Sequence, residues 1–431
     1  MARSRVIPAS ILALLLAAPA QPQASKPIFT IDELVALSLE RNRDLLAARQ
    51  RLTEAEGLLR QAGVRLAPTL EAEGTTGRPV GTKGEEAYSA AFFYPIETGG
   101  KRQKRVHVAE FGMALAQAEV SERARQLTFE VKRRAIEVLA ARRKQDAIER
   151  ILGVSRESYQ ITKVRVEEGD AAPLEQQLLA TELARVEVQQ VSFGGRATSS
   201  LFELRQALGV AEADLANVLD ESTVTPTAIA VADLKARSLS SRPDLEASRV
   251  LEEQASAEAE LTRAQGRPDL TVSARYTRRN SFFDDYFVLS PSGSAIQLRD
   301  PDNVLTFGIS IPLFTQRRNQ GAIEAAVSRE RAVRLRREYL QMTVPLEVDA
   351  AYNRWTAAQR AISLYKKGVI EQSEKNLGVV REAYALGQLR VQDVLAEQRR
   401  LLDTQLAYID AQTEVAQATA ELERAIGGKL Q

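Results

Sequence analysis

Two periods of apolar spacing alternate along this chain of 431 residues, and most of it follows the helical one. From Gly100 to about Glu167 there is no proline, and apolar and charged residues recur at i, i+3, i+4. That run predicts a single rod of roughly 100 Å, at about 1.5 Å per residue. Gly169-Asp170 breaks it, and a returning helix is predicted from about Pro173 to Leu208. The same plan recurs from Asn319 to Leu386, with a break at Gly387 and a return from Arg390 to Ile426. Pro345 is expected to kink the first of these rods, since proline removes a backbone donor. A shorter arm is predicted from about Asp32 to Leu66, with Thr30 as its N-cap and Glu33 completing a capping box. In the last helix Val394, Leu401, Tyr408, Val415 and Leu422 fall seven apart, beside Leu395, Leu402, Ile409 and Ala416. Two adjacent columns at that spacing make a coiled-coil seam. Helices this long need equally long neighbours.

Between the arms the period changes to two. Leu270, Val272, Ala274 and Tyr276 alternate with polar residues, as do Leu305, Phe307, Ile309 and Ile311. Tyr88, Ala90, Phe92 and Tyr94 form a third apolar set; the fourth strand, near Thr69 to Arg78, is faint. A small sheet packed on a helix would give the same alternation. The apolar faces, however, are aromatic in a chain with only 5% aromatic residues, and the long helices have no spare apolar face to cover them. Strands of about ten residues cross a bilayer when tilted, and lipid becomes the natural cover. Open sheet edges are not tolerated in lipid, and four strands are too few to close. Several chains must therefore pool strands; three would give twelve, although the pattern does not fix that number.

The chain is written twice. Asp44-Leu45-x-Ala47-x-Arg49 returns 200 residues later as Asp244-Leu245-x-Ala247-x-Arg249, and Pro68-x-Leu70 as Pro268-x-Leu270. Leu204-x-x-Ala207-Leu208-Gly209 returns 218 residues later as Leu422-x-x-Ala425-Ile426-Gly427, so the second copy carries an insertion between about Leu270 and Pro312. The expected division is a signal peptide at 1–20, a first structural repeat at 21–235 and a second at 236–431. The first holds a β-hairpin at about 69–96 and long helices at about 100–208; the second holds a hairpin at about 269–313 and long helices at about 319–427.

Composition narrows the function classes. With 58 basic and 57 acidic residues, nothing argues for nucleic-acid binding. There is no cysteine and one histidine, His107, so disulfides, thiolate nucleophiles and Cys/His zinc sites are out. Arg3 and Arg5, the apolar run Ile11 to Ala18 and Ala18-Pro19-Ala20 read as an export signal cleaved after Ala20, with Ala24 as the alternative. No nucleophile elbow, phosphate loop or metal-ligand cluster points to an enzyme, and no cofactor is expected. Asp300-Pro301-Asp302-Asn303 is expected as exposed turn chemistry in a long hairpin loop, with Asp284 and Asp285 in the same insertion.

The duplicated helix, hairpin and long-hairpin plan resembles the TolC-like outer-membrane efflux proteins over nearly the whole chain. Glu97-Thr98-Gly99-Gly100-Lys101-Arg102-x-x-Arg105 looks like the stretch after the second strand in the heavy-metal branch of that family, the cobalt–zinc–cadmium type. Ile311-Pro312-Leu313-Phe314 with Arg318-Asn319-x-Gly321, and Tyr384-x-x-Gly387 with Asp393-Val394-Leu395, are similar to family counterparts. The resemblance implies a mainly α fold with a membrane β-barrel, four strands from each of three chains closing a twelve-stranded barrel above an α-helical tunnel. It implies a passive exit duct for small solutes in the outer membrane, reaching into the periplasm of a Gram-negative-type envelope. The partners it implies are a homotrimer, outer-membrane lipid, a periplasmic adaptor and an inner-membrane pump of the RND type. A type I secretion duct, a periplasmic adaptor and a structural coiled-coil protein stand as alternatives.

Site residues follow from the same resemblance. Adaptor contact is expected at the tips, Gly169-Asp170 and Gly387-Gln388. Tyr384 and Asp393 match the family's closed tip, while Leu389 and Ala396 stand where the family has an arginine and a second acid. Asp393, repeated by symmetry, would form an acidic ring favouring cations, with Glu175 as its first-copy counterpart; ordinary solvated helix carboxylates would look the same. His107 lacks co-ligands for a metal.

Overall fold

A computed structural model describes residues 28–76, 86–209, 217–218, 230–313 and 319–430, together with 79 and 317. The export signal lies outside the described residues. Nine helices are described: α1 (Ile31–Arg41), α2 (Arg43–Ala62), α3 (Lys101–Glu167), α4 (Pro173–Leu208), α5 (Val231–Ser241), α6 (Pro243–Gln265), α7 (Gln320–Tyr365), α8 (Val369–Ala385) and α9 (Val391–Ile426). Strands β1 (Ile28–Phe29) and β4 (Asn217–Val218) form a short parallel pair. Strands β2 (Thr69–Thr76), β3 (Glu86–Ile96), β5 (Leu270–Leu289) and β6 (Ala295–Ser310) form one antiparallel sheet in that order.

The long rods are as the spacing predicts. α3 is unbroken over 67 residues and α4 returns from Pro173, whose missing donor is harmless at a helix start. Thr30 and Glu33 make the reciprocal capping bonds at α1. Three expectations need correction. The first arm is not one helix: it breaks at Asn42, whose side chain accepts from Asp44 and Leu45 and so starts α2 afresh. The second rod does not reach Leu386 unbroken. It continues past Pro345 and stops at Tyr365, where Gly368 at φ 101° starts α8. A Cβ at Gly368 would meet nothing within 4 Å, so backbone conformation and not crowding selects glycine there. Finally, the second hairpin has no long loop. The insertion lengthens its strands to 20 and 16 residues, and Asp302 and Asn303 sit in β6 opposite Arg279 and Arg278. Opposite charges facing across strands make that stretch good strand rather than turn.

Neighbouring elements keep one lateral order throughout. The strands run β2-β3-β5-β6, and the helices that continue them pack α2 on α3, α3 on α6 and α6 on α7. Below, α4 packs on α3, α3 on α9 and α9 on α8. The upper helical body has two apolar clusters that mirror each other. One gathers Leu34, Leu45, Val131, Leu204 and Leu208; the other gathers Leu234, Val348, Leu422 and Ile426. Lower down, Ile148, Ile151, Leu152, Val186, Leu377, Leu401 and Leu402 form a third cluster. In the last helix the two predicted columns are buried at Val394, Leu395, Leu401, Leu402, Ile409 and Leu422, but Tyr408, Val415 and Ala416 are only half-buried.

Candidate functional site

The sheet is inside out for a protein in water. Along β3, Tyr88, Ala90, Phe92, Tyr94 and Ile96 are exposed, whereas the alternate residues Ser89, Ala91, Phe93 and Pro95 are covered, Ala91 almost completely. Register extends the apolar face across all four strands: Leu70, Phe92, Ala274 and Phe307 lie in one row, and Tyr94, Val272 and Ile309 in another. Phe307 is 73% exposed and Ile309 70%. The opposite face is polar, with Arg275 donating to Glu73 and Ser89. A sheet with apolar residues outward and charges inward is the arrangement of a transmembrane barrel wall. Its two edges, β2 and β6, have no strand partner among the described residues. No described helix is long and apolar enough to cross a membrane.

At the far end of the rods the structure brings Tyr384 and Glu175 together. The Tyr384 hydroxyl donates to Glu175 Oε2 at 3.0 Å and meets Thr162 Oγ1 at 2.9 Å, joining α8 to both α3 and α4. Arg165 covers the Tyr384 ring at 5.1 Å. Burial and the Glu175 carboxylate raise the phenol above its ordinary pKa, against the bond from Thr162, so it remains a donor at neutral pH. Leu179, Val391, Val394 and Leu395 pack around the ring as a fourth apolar cluster. Asp393 does not join this group. It is exposed and accepts from the Arg390 backbone at 3.0 Å, a cap at the start of α9. Gly169 and Gly387 take φ 84° and 72° at the two hairpin turns, with open space around both.

Residues missed in the sequence sit just above. Glu182 is 4% exposed yet ionised, held between Arg185 on its own helix and Arg399 on α9. Burial opposes its charge, but the bonds from Arg399 and Arg185 win and lower its pKa. The contribution of this pair is therefore complete above the ordinary carboxylate pKa and fades only as pH falls through the lowered one. Gln398 and Ser158 share a buried bond at 3.3 Å. The available signal was Ser155, Ser158, Thr162 and Arg165, polar residues at helical spacing along the stripe that Ile148 and Leu152 occupy higher up. His107 pairs with Glu110 and its ring lies tilted against Phe111, and the described residues hold no group of three or more potential metal-ligating side chains.

An outward-apolar sheet continuous with very long helical hairpins defines an outer-membrane channel of the TolC-like type. Comparisons with known proteins agree. A sequence model of the family "Outer membrane efflux protein" matches residues 34–210 and 234–428, and the chain belongs to that family. Cobalt-zinc-cadmium resistance protein CzcC of Cupriavidus metallidurans is 25% identical over 95% of this chain and 92% of its own. The fold is shared with crystal structures of the outer membrane protein VceC from Vibrio cholerae and the CmeC outer membrane channel of Campylobacter jejuni. VceC has TM-score 0.72 and 21% identity, covering 93% of this chain and 97% of VceC. CmeC has TM-score 0.74 and 15% identity, covering 92% of this chain and 85% of CmeC. The protein is thus an efflux channel of the outer membrane, and its family and fold are those of channels rather than enzymes.

Proposed function

We propose that three copies form a passive exit duct that carries divalent heavy-metal cations outward, with energy supplied by an inner-membrane RND pump through a periplasmic adaptor. The observation that carries the duct is the sheet's exposed apolar face with two open edges. Every layer presents one set of elements on one side, β2, α2 and α4, and another on the other side, β6, α7 and α8. Such unlike edges join head to tail and close into a ring. The exposed stripe Leu335, Tyr339, Met342 and Leu346 on α7, at i, i+4, i+7, i+11, suits a neighbouring helix at that seam. Three copies give the twelve strands of the closed wall, and the division into repeats at 21–235 and 236–431 explains why each copy supplies two hairpins. Adaptor contact falls at Gly169-Asp170 and Gly387-Gln388.

The cargo class rests on the likeness to the cobalt–zinc–cadmium resistance protein. Deleting this chain from its host is expected to sensitise cells to cobalt, zinc and cadmium salts, with plasmid-borne protein restoring growth. Unchanged metal tolerance alongside new sensitivity to amphiphilic drugs would assign it to drug export instead.

Tyr384 and Glu175 serve as the closing contact at the tip, and Asp393 as a cation-favouring ring at its mouth. Asp393→Asn keeps a side-chain acceptor for the α9 cap while removing the charge. In planar bilayers this variant is expected to lose most of its cation-over-anion preference at unchanged thermal stability. A reversal potential equal to wild type in a salt gradient would discard the ring.

A further inference from the structure

The two long hairpins pack on each other through two apolar clusters separated by a buried polar layer. Above lies the cluster around Leu152, Leu377 and Leu401; below, at the tip, the cluster around Tyr384, Leu179 and Val394. Between them, three of the four helices turn polar inside the bundle, while α8 runs apolar from Leu377 to Val380. α3 contributes Ser155 and Ser158, α4 Glu182, and α9 Gln398 and Arg399, while Arg381 on α8 meets the exposed Glu157 on the outer surface at 2.7 Å. The layer itself is no solvated surface: Ser155, Ser158, Glu182 and Gln398 are 3%, 7%, 4% and 2% exposed. Its hydrogen bonding is incomplete, because Ser155 Oγ and Gln398 Oε1 are buried without a partner among the described residues.

A buried polar layer in a helical bundle weakens cohesion relative to an apolar one and tolerates only one register. Half-satisfied groups sharpen the effect, since water entering during separation gives them partners that closure withholds. Apolar contact is also interrupted on α3, α4 and α9, so loss of the tip cluster need not propagate along them into the cluster above.

We propose that this layer is the breakpoint of duct opening: below it the hairpins separate, above it they stay packed, and Glu182–Arg399 sets the register in which they close again. The proposal rests on the reading of the tip as the closing contact and names what limits and guides that motion.

Hydrogen exchange on the full-length assembly in detergent tests it. Amides of 159–166 and 383–395 are expected to exchange at least tenfold faster than those of 140–152, with the change falling at the layer. The triple variant Ser155→Ala, Ser158→Ala, Gln398→Leu dries the layer without adding bulk. It is expected to slow tip exchange about tenfold and to lower single-channel conductance. A wild-type gradient that fades smoothly from the tip with no step, or a triple variant with unchanged tip exchange, overturns the breakpoint. If the exchange step shifts as expected while conductance does not change, the breakpoint stands and the assignment of the tip as the closing contact fails.

Discussion

Arg242→Ala is expected to destabilise the upper helical body by about 1–3 kcal/mol, because it deprives the partly buried Asp244 carboxylate and the Ala425 carbonyl of a charged donor. Arg242 is 6% exposed; it donates to Asp244 and to Glu347 at 2.7 Å, and reaches the Ala425 carbonyl at 3.3 Å. Burial works against the guanidinium, yet the two carboxylates hold it more firmly charged than an ordinary arginine. Asp244 in turn is lowered, with burial again the largest opposing influence and Arg242 the main reason it stays ionised. The measurement is the temperature at which helical circular dichroism is lost at a fixed scan rate, since unfolding of a membrane assembly is not reversible. Arg242→Asn provides the control. Asn42 holds the equivalent place 200 residues earlier and donates to Ala207, the counterpart of Ala425. The asparagine variant should therefore recover the carbonyl bond, though not the ion pairs, and melt between alanine and wild type. An alanine variant that melts with wild type would mean that water replaces the arginine at no cost.

Phe307→Arg is expected to abolish assembly in the membrane. Phe307 stands in the middle of the outward apolar face, opposite Ala274. A cation at the bilayer midplane of a barrel costs about 2–4 kcal/mol in each chain, and the ring would repeat it in every copy. Thr277→Arg, on the inward face opposite Ser89 and Val304, is the matched control and should insert normally. Outer-membrane fractionation after expression reads both. Equal recovery of the two variants in that fraction would contradict the assignment of faces.

The rods and the apolar strand faces were legible because each follows a single period over many residues. α4 begins at Pro173 and ends at Leu208, where proline and glycine bound the pattern. The breaks at Asn42 and Gly368 were not legible, because helical spacing continues on both sides and a single capping residue decides the interruption. Asp300 to Asn303 looked like a turn from composition alone; pairing of Asp302 with Arg279 lies 23 residues away in sequence, and no local signal carries it. At the tip, Tyr384 and Glu175 could be named from resemblance, but the bond that joins them spans 209 residues. Glu182 and Arg399 went unnoticed for a simpler reason. On helices this rich in Glu and Arg, a buried ion pair has the same spelling as a solvated one.

The uneven hairpins give the molecule a face toward the world outside the cell. Pairing between β3 and β5 stops at Glu86 and Asn280, yet β5 and β6 continue paired to Leu289 and Ala295. That overhang stands roughly 20 Å beyond the end of β3, at about 3.3 Å per residue with a bulge taken out. Its turn at Ser290 to Ser294, with Gly293 at φ 77° and nothing packed on it, is the most outlying part of the described sheet. Antibodies and phages that approach an intact bacterium would meet this turn, and immune or viral pressure would fall on it while the wall beneath stays under the rule of lipid.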